Sequence, residues 1–261
     1  MGLNILRVGT IASVVLGSIL AYPLSNDGTV ALEKFRSVLQ NYLRDMAETP
    51  LEVTSTVRIF DLSGKLRKVR RNKYQFEVTS FRKGGEASVS AHSKGLKGPS
   101  WQQMYTDSAA VFAAFAIAEG HEAYSIEVHN TGGAPLAVLY RSARECKSFE
   151  PGPSKDEQWR LALWCGAGQI TFDKDDLVPV DARFEAAGLP QESGKNTLRS
   201  YYVQQEFQTI SLPGEKRPLC LSKKITATYG TAEGRIVVEN EYMLHQASTR
   251  KWRDAIRSPR R

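Results

Sequence analysis

From residue 121 onward the chain alternates short runs of β-branched and aromatic residues with clusters of Gly, Pro, Asn and Asp. No other feature of the 261 residues narrows the fold as much. EAYSIEVHN is followed by TGG, and PLAVLYRSARECKSF by EPGPSKDEQ. WRLALWC, GQITFD, VPVDARFEAA, TLRSYYVQQEFQTI, KKITATYG and RIVVENEYML then follow with turn residues between them. Short strands at regular spacing, punctuated by turn signals, predict one curved, mostly antiparallel sheet.

The first half adds a hairpin. LEVTSTVRIF meets the turn cluster Asp61-Leu62-Ser63-Gly64, and KLRKVRRNKYQFEVTSF returns. Pairing across that turn places Leu51, Val53, Val57 and Ile59 on the face of Leu66, Lys68, Arg70, Asn72, Tyr74, Phe76 and Val78. The apolar ends of both strands therefore meet far from the turn, and the cations cluster near it. Arg70, Arg71 and Lys73 are the expected basic surface. Tyr74 and Phe76 share their face with core residues, which argues against a nucleic-acid arm with exposed stacking rings.

Two helices are expected. Leu32, Phe35, Leu39, Tyr42, Leu43 and Met46 recur at spacings of three and four, one apolar stripe with Thr29 as N-cap and Pro50 as stop. Later, Ser100 and Gln103 form a capping-box pattern ahead of AAVFAAFAIA, which is apolar on every face and ends at Gly120. Such a helix is buried. The expected class is α+β: a curved antiparallel sheet packed on an N-terminal amphipathic helix and an internal apolar helix.

Residues 1–21 read as a signal peptide or N-terminal anchor: Arg7 precedes an uncharged run from Val8 to Ala21, and Ala21 is a candidate cleavage point. Residues 22–249 read as a single α+β domain and 250–261 as a basic tail. The formal net charge is +7, much of it in that tail, so composition does not call for a nucleic-acid partner. No later segment is long enough to span a bilayer. The expected location is periplasmic or secreted. Of the three cysteines, Cys146 and Cys165 are the expected disulfide pair in an oxidising compartment, with Cys220 left over.

Catalytic and metal motifs fail in turn. Asp173 and Asp175 begin like a calcium loop, but Val178 stands where the turn glycine belongs and Phe184 where the bidentate Glu belongs. GLPQESGKN has the wrong spacing for a phosphate loop and ends in Asn196. His92, His121, His129 and His245 fall into no ligand spacing, and no G-x-S-x-G elbow occurs. No metal, cofactor or catalytic residue is expected, and the chain does not read as an enzyme.

The segment RRNKYQFEV, residues 70–78, is similar to an early strand of the periplasmic lipoprotein-carrier family, the outer-membrane lipoprotein-sorting proteins. The order of elements also resembles that family: apolar start, amphipathic helix, hairpins, internal apolar helix, more hairpins. Arg71 matches the family's functional arginine, although Asn72 and Lys73 follow it where the family has Pro-Gly. The resemblance implies an incomplete antiparallel barrel around an apolar helix, enclosing a greasy cavity. Tyr74, Phe76, Phe112, Phe115 and Ile117 would line it. The implied role is to bind or carry a lipid or lipoprotein acyl chain. The alternative is an envelope protein-interaction module with a filled core and no ligand.

Overall fold

The computed structural model describes residues 26–80, 88–92, 124–129, 136–142, 165–173, 175–187, 198–212 and 217–244, with eight residues between 102 and 118. Residues 1–21 and 250–261 lie outside the described residues, as do Phe112, Phe115 and Cys146. Helix α1 spans Asn26–Glu48. Thr29, the expected cap, lies inside this described span, so the helical backbone already runs ahead of it. The helix ends ahead of Pro50, and the whole predicted stripe from Leu32 to Met46 is buried.

Among the described residues ten strands follow: β1 Leu51–Asp61, β2 Leu66–Ser80, β3 Ser88–His92, β4 Tyr124–His129, β5 Leu136–Ser142, β6 Ala167–Phe172, β7 Pro179–Ala187, β8 Leu198–Ile210, β9 Leu219–Thr231 and β10 Gly234–Leu244. They form one sheet in the order β3-β2-β1-β10-β9-β8-β7-β6-β5-β4, and every pair is antiparallel. The sheet curves but does not close, so the class is an α+β incomplete barrel. Alternate residues turn inward, as the burial along β1 and β8 shows.

The β1–β2 register matches the sequence expectation up to Ile59: Leu51 faces Phe76, Val53 faces Tyr74 and Val57 faces Arg70; a bulge between Ile59 and Phe60 then sets Leu66 opposite Phe60, off the face expected for it. Gly64 adopts a positive φ in the turn, where the Asp61 carboxylate also accepts from Ser63 Oγ and Lys65 N. The Asp173 carboxylate likewise accepts from the backbone N–H groups of Asp175 and Asp176, so its acidic cluster closes a turn on itself.

The pairing of β10 with β1 sets the architecture. It turns two consecutive meanders into one sheet and leaves β3 and β4 at opposite edges. The connection from β3 to β4 must therefore travel from one edge to the other. Its described residues Gln102, Gln103, Thr106, Asp107, Ala109, Ala114, Ile117 and Ala118 are all helical, and all but Gln102 are buried. They meet inward-facing side chains of β2, β9 and β10, which puts them on the concave face. α1 packs beside them, with Arg36 Nε donating to the carbonyl of Ile117.

Candidate functional site: the concave face and its buried carboxyl

The concave face is lined by an aromatic ladder. Tyr124 lies against Tyr140 at 5.9 Å between ring centroids, Tyr140 against Phe184 at 6.2 Å, Phe184 against Tyr201 at 5.9 Å and Tyr201 against Tyr229 at 5.0 Å. These rings come from β4, β5, β7, β8 and β9. β6 contributes Gly168 instead, and a Cβ there would collide with the Tyr140 ring. The missing side chain is what lets a large ring lie across the strand. On the other side of the trough, Leu51, Val53 and Phe76 are fully buried, and Phe76 stands edge-on to Tyr242.

The helical residues are tied to this trough by polar bonds. Asp107 is fully buried. It accepts from Tyr74 OH at 2.6 Å, from Asn240 Nδ2 at 2.8 Å and from Tyr242 OH in a short bond. Asn240 Nδ2 also reaches Tyr74 OH at 3.1 Å. At the neighbouring position, Thr106 Oγ1 pairs with Tyr229 OH at 2.8 Å, and both reach the carbonyl of Gln102. β2, β9 and β10 thus supply hydroxyls and an amide to one stretch of helical chain.

Asp107 has no ion pair among the described residues. Burial pushes its carboxyl up to about 7, against the opposing effect of the bonds from Tyr242, Tyr74 and Asn240. Burial, and then the charge of Asp107, pushes the Tyr74 and Tyr242 hydroxyls well above the usual phenol range, so both remain O–H donors. Asn240 Oδ1 is buried and accepts nothing among the described residues, so the cluster is one donor short.

A second polar cluster holds α1. Tyr42 OH pairs with Ser222 Oγ at 2.8 Å, and Gln205 Nε2 donates to both. The buried Asp45 receives a bidentate bond from Arg217 at 2.5 and 2.8 Å and a third from the backbone N–H of Cys220. These bonds raise the Arg217 guanidinium further, and burial pushes the Cys220 thiol up to about 12. That thiol is therefore inert at neutral pH. A groove of about 670 Å³ opens beside this cluster, lined by Val38, Leu177, Val178, Phe207 and Arg217 among others.

Of the sequence-predicted lining residues, Tyr74, Phe76 and Ile117 are brought to the concave side. Tyr74 proves to be a hydrogen-bond donor to Asp107 rather than a bare ring. Phe112 and Phe115 lie outside the described residues. Arg70, Arg71 and Lys73 are exposed. Cys165 is disulfide-bonded and Cys220 is a free, buried thiol. Asp107, Asn240 and Tyr242 escaped sequence reading, because they become one cluster only through contacts across 133 and 135 residues. Among the described residues no group of three metal-ligating side chains occurs, and no helix is long and apolar enough to cross a membrane.

No family model matches the chain, and no curated protein gives a significant match. Among solved structures it is similar to a LolA superfamily protein from Nitrosomonas europaea, at 10% identity over 80% of this chain and 90% of that one, with a TM-score of 0.35. A DUF1329 family protein from Desulfovibrio piger matches at 9% identity over 81% and 91%, with a TM-score of 0.37. A chain of the Pseudomonas aeruginosa MucA/MucB complex matches at 8% identity over 84% and 96%, with a TM-score of 0.22.

Proposed function

We propose that this chain is an exported, non-catalytic envelope protein that binds or carries a hydrophobic ligand, such as a lipid or a lipoprotein acyl chain, in its concave sheet. The observation that carries the reading is how the apolar trough is covered. The described part of the cover is fastened by a buried carboxyl and neutral donors at Asp107, while Ala109, Ala114, Ile117 and Ala118 pack into the apolar core. Burying a carboxyl carries a desolvation penalty that an alkyl group would not. In this reading that penalty makes the cover easier to displace than a wholly apolar one would be. An acyl chain gains about 0.8 kcal/mol per methylene buried and can compete for that surface. Tyr74 and Phe76 form the sheet side of the ligand site, and Phe112, Phe115 and Ile117 the helical side.

Export is supported by the uncharged run from Val8 to Ala21 and by the disulfide at Cys165, which fits an oxidising compartment. Its partner in this reading is Cys146. Non-reducing peptide mapping should give a Cys146–Cys165 cross-linked peptide, and a Cys165 linked elsewhere would remove that support.

The ligand is tested by native mass spectrometry of the chain from Tyr22 onward, with titration of a fluorescent fatty acid. Co-purified lipid and saturable uptake are expected. A second reading, an interaction module with a permanently filled core, is favoured by one fact: Tyr74, Phe76 and Ile117 are at most 2% exposed, packed among the protein's own side chains. Absence of both lipid and uptake would select it over the carrier.

A further inference from the structure

Six exposed large apolar side chains occur among the described residues, and three of them, Leu62, Leu66 and Val69, sit on the β1–β2 hairpin. Leu62, in the turn, is 77% exposed. Around them Lys65, Arg67, Lys68, Arg70, Arg71 and Lys73 are all exposed. Arg67 is paired with Asp61 at 2.7 Å and Lys73 with Glu52 at 3.4 Å. Lys65, Lys68, Arg70 and Arg71 have no ion pair among the described residues. The adjoining β9–β10 hairpin adds another exposed cation, Arg235, whose guanidinium lies 4.7 Å from the centroid of the Phe60 ring.

Cations on this strand have an ordinary explanation. β3 pairs with β2 only from Gln75 onward, so the outer edge of residues 66–74 meets no strand among the described residues. Lys and Arg on such an edge discourage sheet-to-sheet aggregation. That explanation does not cover Leu62, Leu66 and Val69, because apolar side chains on an open edge promote the association that the cations discourage. Cations interleaved with exposed aliphatic side chains suit a surface that is anionic outside and apolar just beneath. Nucleic acid fits less well, since Tyr74 and Phe76 are buried and Phe60 is half-buried, leaving the hairpin no exposed ring for stacking.

We propose that the tip of the β1–β2 hairpin, Leu62 to Lys73, docks on the surface of a bilayer containing anionic lipid: Lys65, Lys68, Arg70 and Arg71 meet the headgroups, and Leu62, Leu66 and Val69 reach below them. The proposal holds whether or not the concave face takes a ligand.

The test is vesicle co-sedimentation of the chain from Tyr22 onward, which retains every described element. One set of vesicles is phosphatidylcholine alone, and the other contains about a third phosphatidylglycerol. Binding to the anionic set alone is expected, reversed by salt. Arg70→Glu with Arg71→Glu should weaken it by at least about 10-fold. Leu62→Ser with Val69→Ser should weaken it severalfold at unchanged melting temperature. Equal binding to both sets, or indifference to the charge reversal, would overturn the proposal. So would binding to a soluble polyanion that matches vesicle binding and ignores the Leu62 and Val69 changes, since that identifies an acidic macromolecule as the partner.

Discussion

Asp107 is the residue whose ionisation should be felt in the stability of the whole chain. Its carboxyl titrates near 7 when folded and near the ordinary carboxylate value when unfolded. Between those two values the folded state therefore binds more protons, and stability falls as pH rises through that window. The protonated form's advantage is complete below the unfolded value and is lost above about 7. The effect is at most on the order of 4 kcal/mol. Asp107→Asn should flatten the fall. Denaturant midpoints at pH 5 and pH 8 measure it, and equal pH slopes in the two proteins would show that Asp107 stays ionised.

Gly168 and Arg217 make simpler demands. Gly168→Ala should destabilise by roughly 1–3 kcal/mol, because the added methyl overlaps the Tyr140 ring and the backbone of Arg183. Arg217→Ala leaves the buried Asp45 with the Cys220 N–H as its remaining partner among the bonds described above. Losing that charge-assisted pair should cost about 1–3 kcal/mol, discounted because Arg217 itself is partly exposed. Thermal melts read both changes. None of these three residues stands out in the sequence. A glycine in a strand, an arginine in a loop and an aspartate near a helix start are common, and their meaning lies in partners far along the chain.

Among the elements, α1 and the β1–β2 hairpin were legible because their signals are local. The stripe from Leu32 to Met46 has helical spacing, and each of its residues is buried as that spacing requires. In the hairpin, a short turn and period-two alternation leave one register that buries Leu51 and Val53 with Tyr74 and Phe76. Leu39→Ala, at a fully buried position of the stripe, should cost about 2–5 kcal/mol by urea denaturation. A change below about 1 kcal/mol would show that α1 adds little to the core. The basic end of β2 reads equally well as edge protection or as a docking surface from sequence alone. The exposure of Leu62, Leu66 and Val69 is what separates the two.

At the level of the entire sheet, β10 is the closing piece. It lies between β1 and β9 and pairs along its length with β1, from Gly234 opposite Asp61 to Leu244 opposite Leu51. A chain ended before Gly234 should fail to fold cooperatively, since β1 and β9 would each lose a partner within the sheet. Loss of a sigmoidal melt by circular dichroism is the expected result. Periodicity and turn residues alone established β4 to β10, the amphipathic helix and the hairpin, because each depends on neighbours a few residues apart; β3, short and polar, carried no such signal. They could not pair residue 51 with residue 244, nor bring Asp107 to Asn240 across 133 residues. Those contacts are long-range, and a carboxylate carries no mark in a linear string of whether water or three donors will surround it. Folding decided that, by drawing the connection between the two sheet edges across the concave face and burying Asp107 against Tyr74, Asn240 and Tyr242.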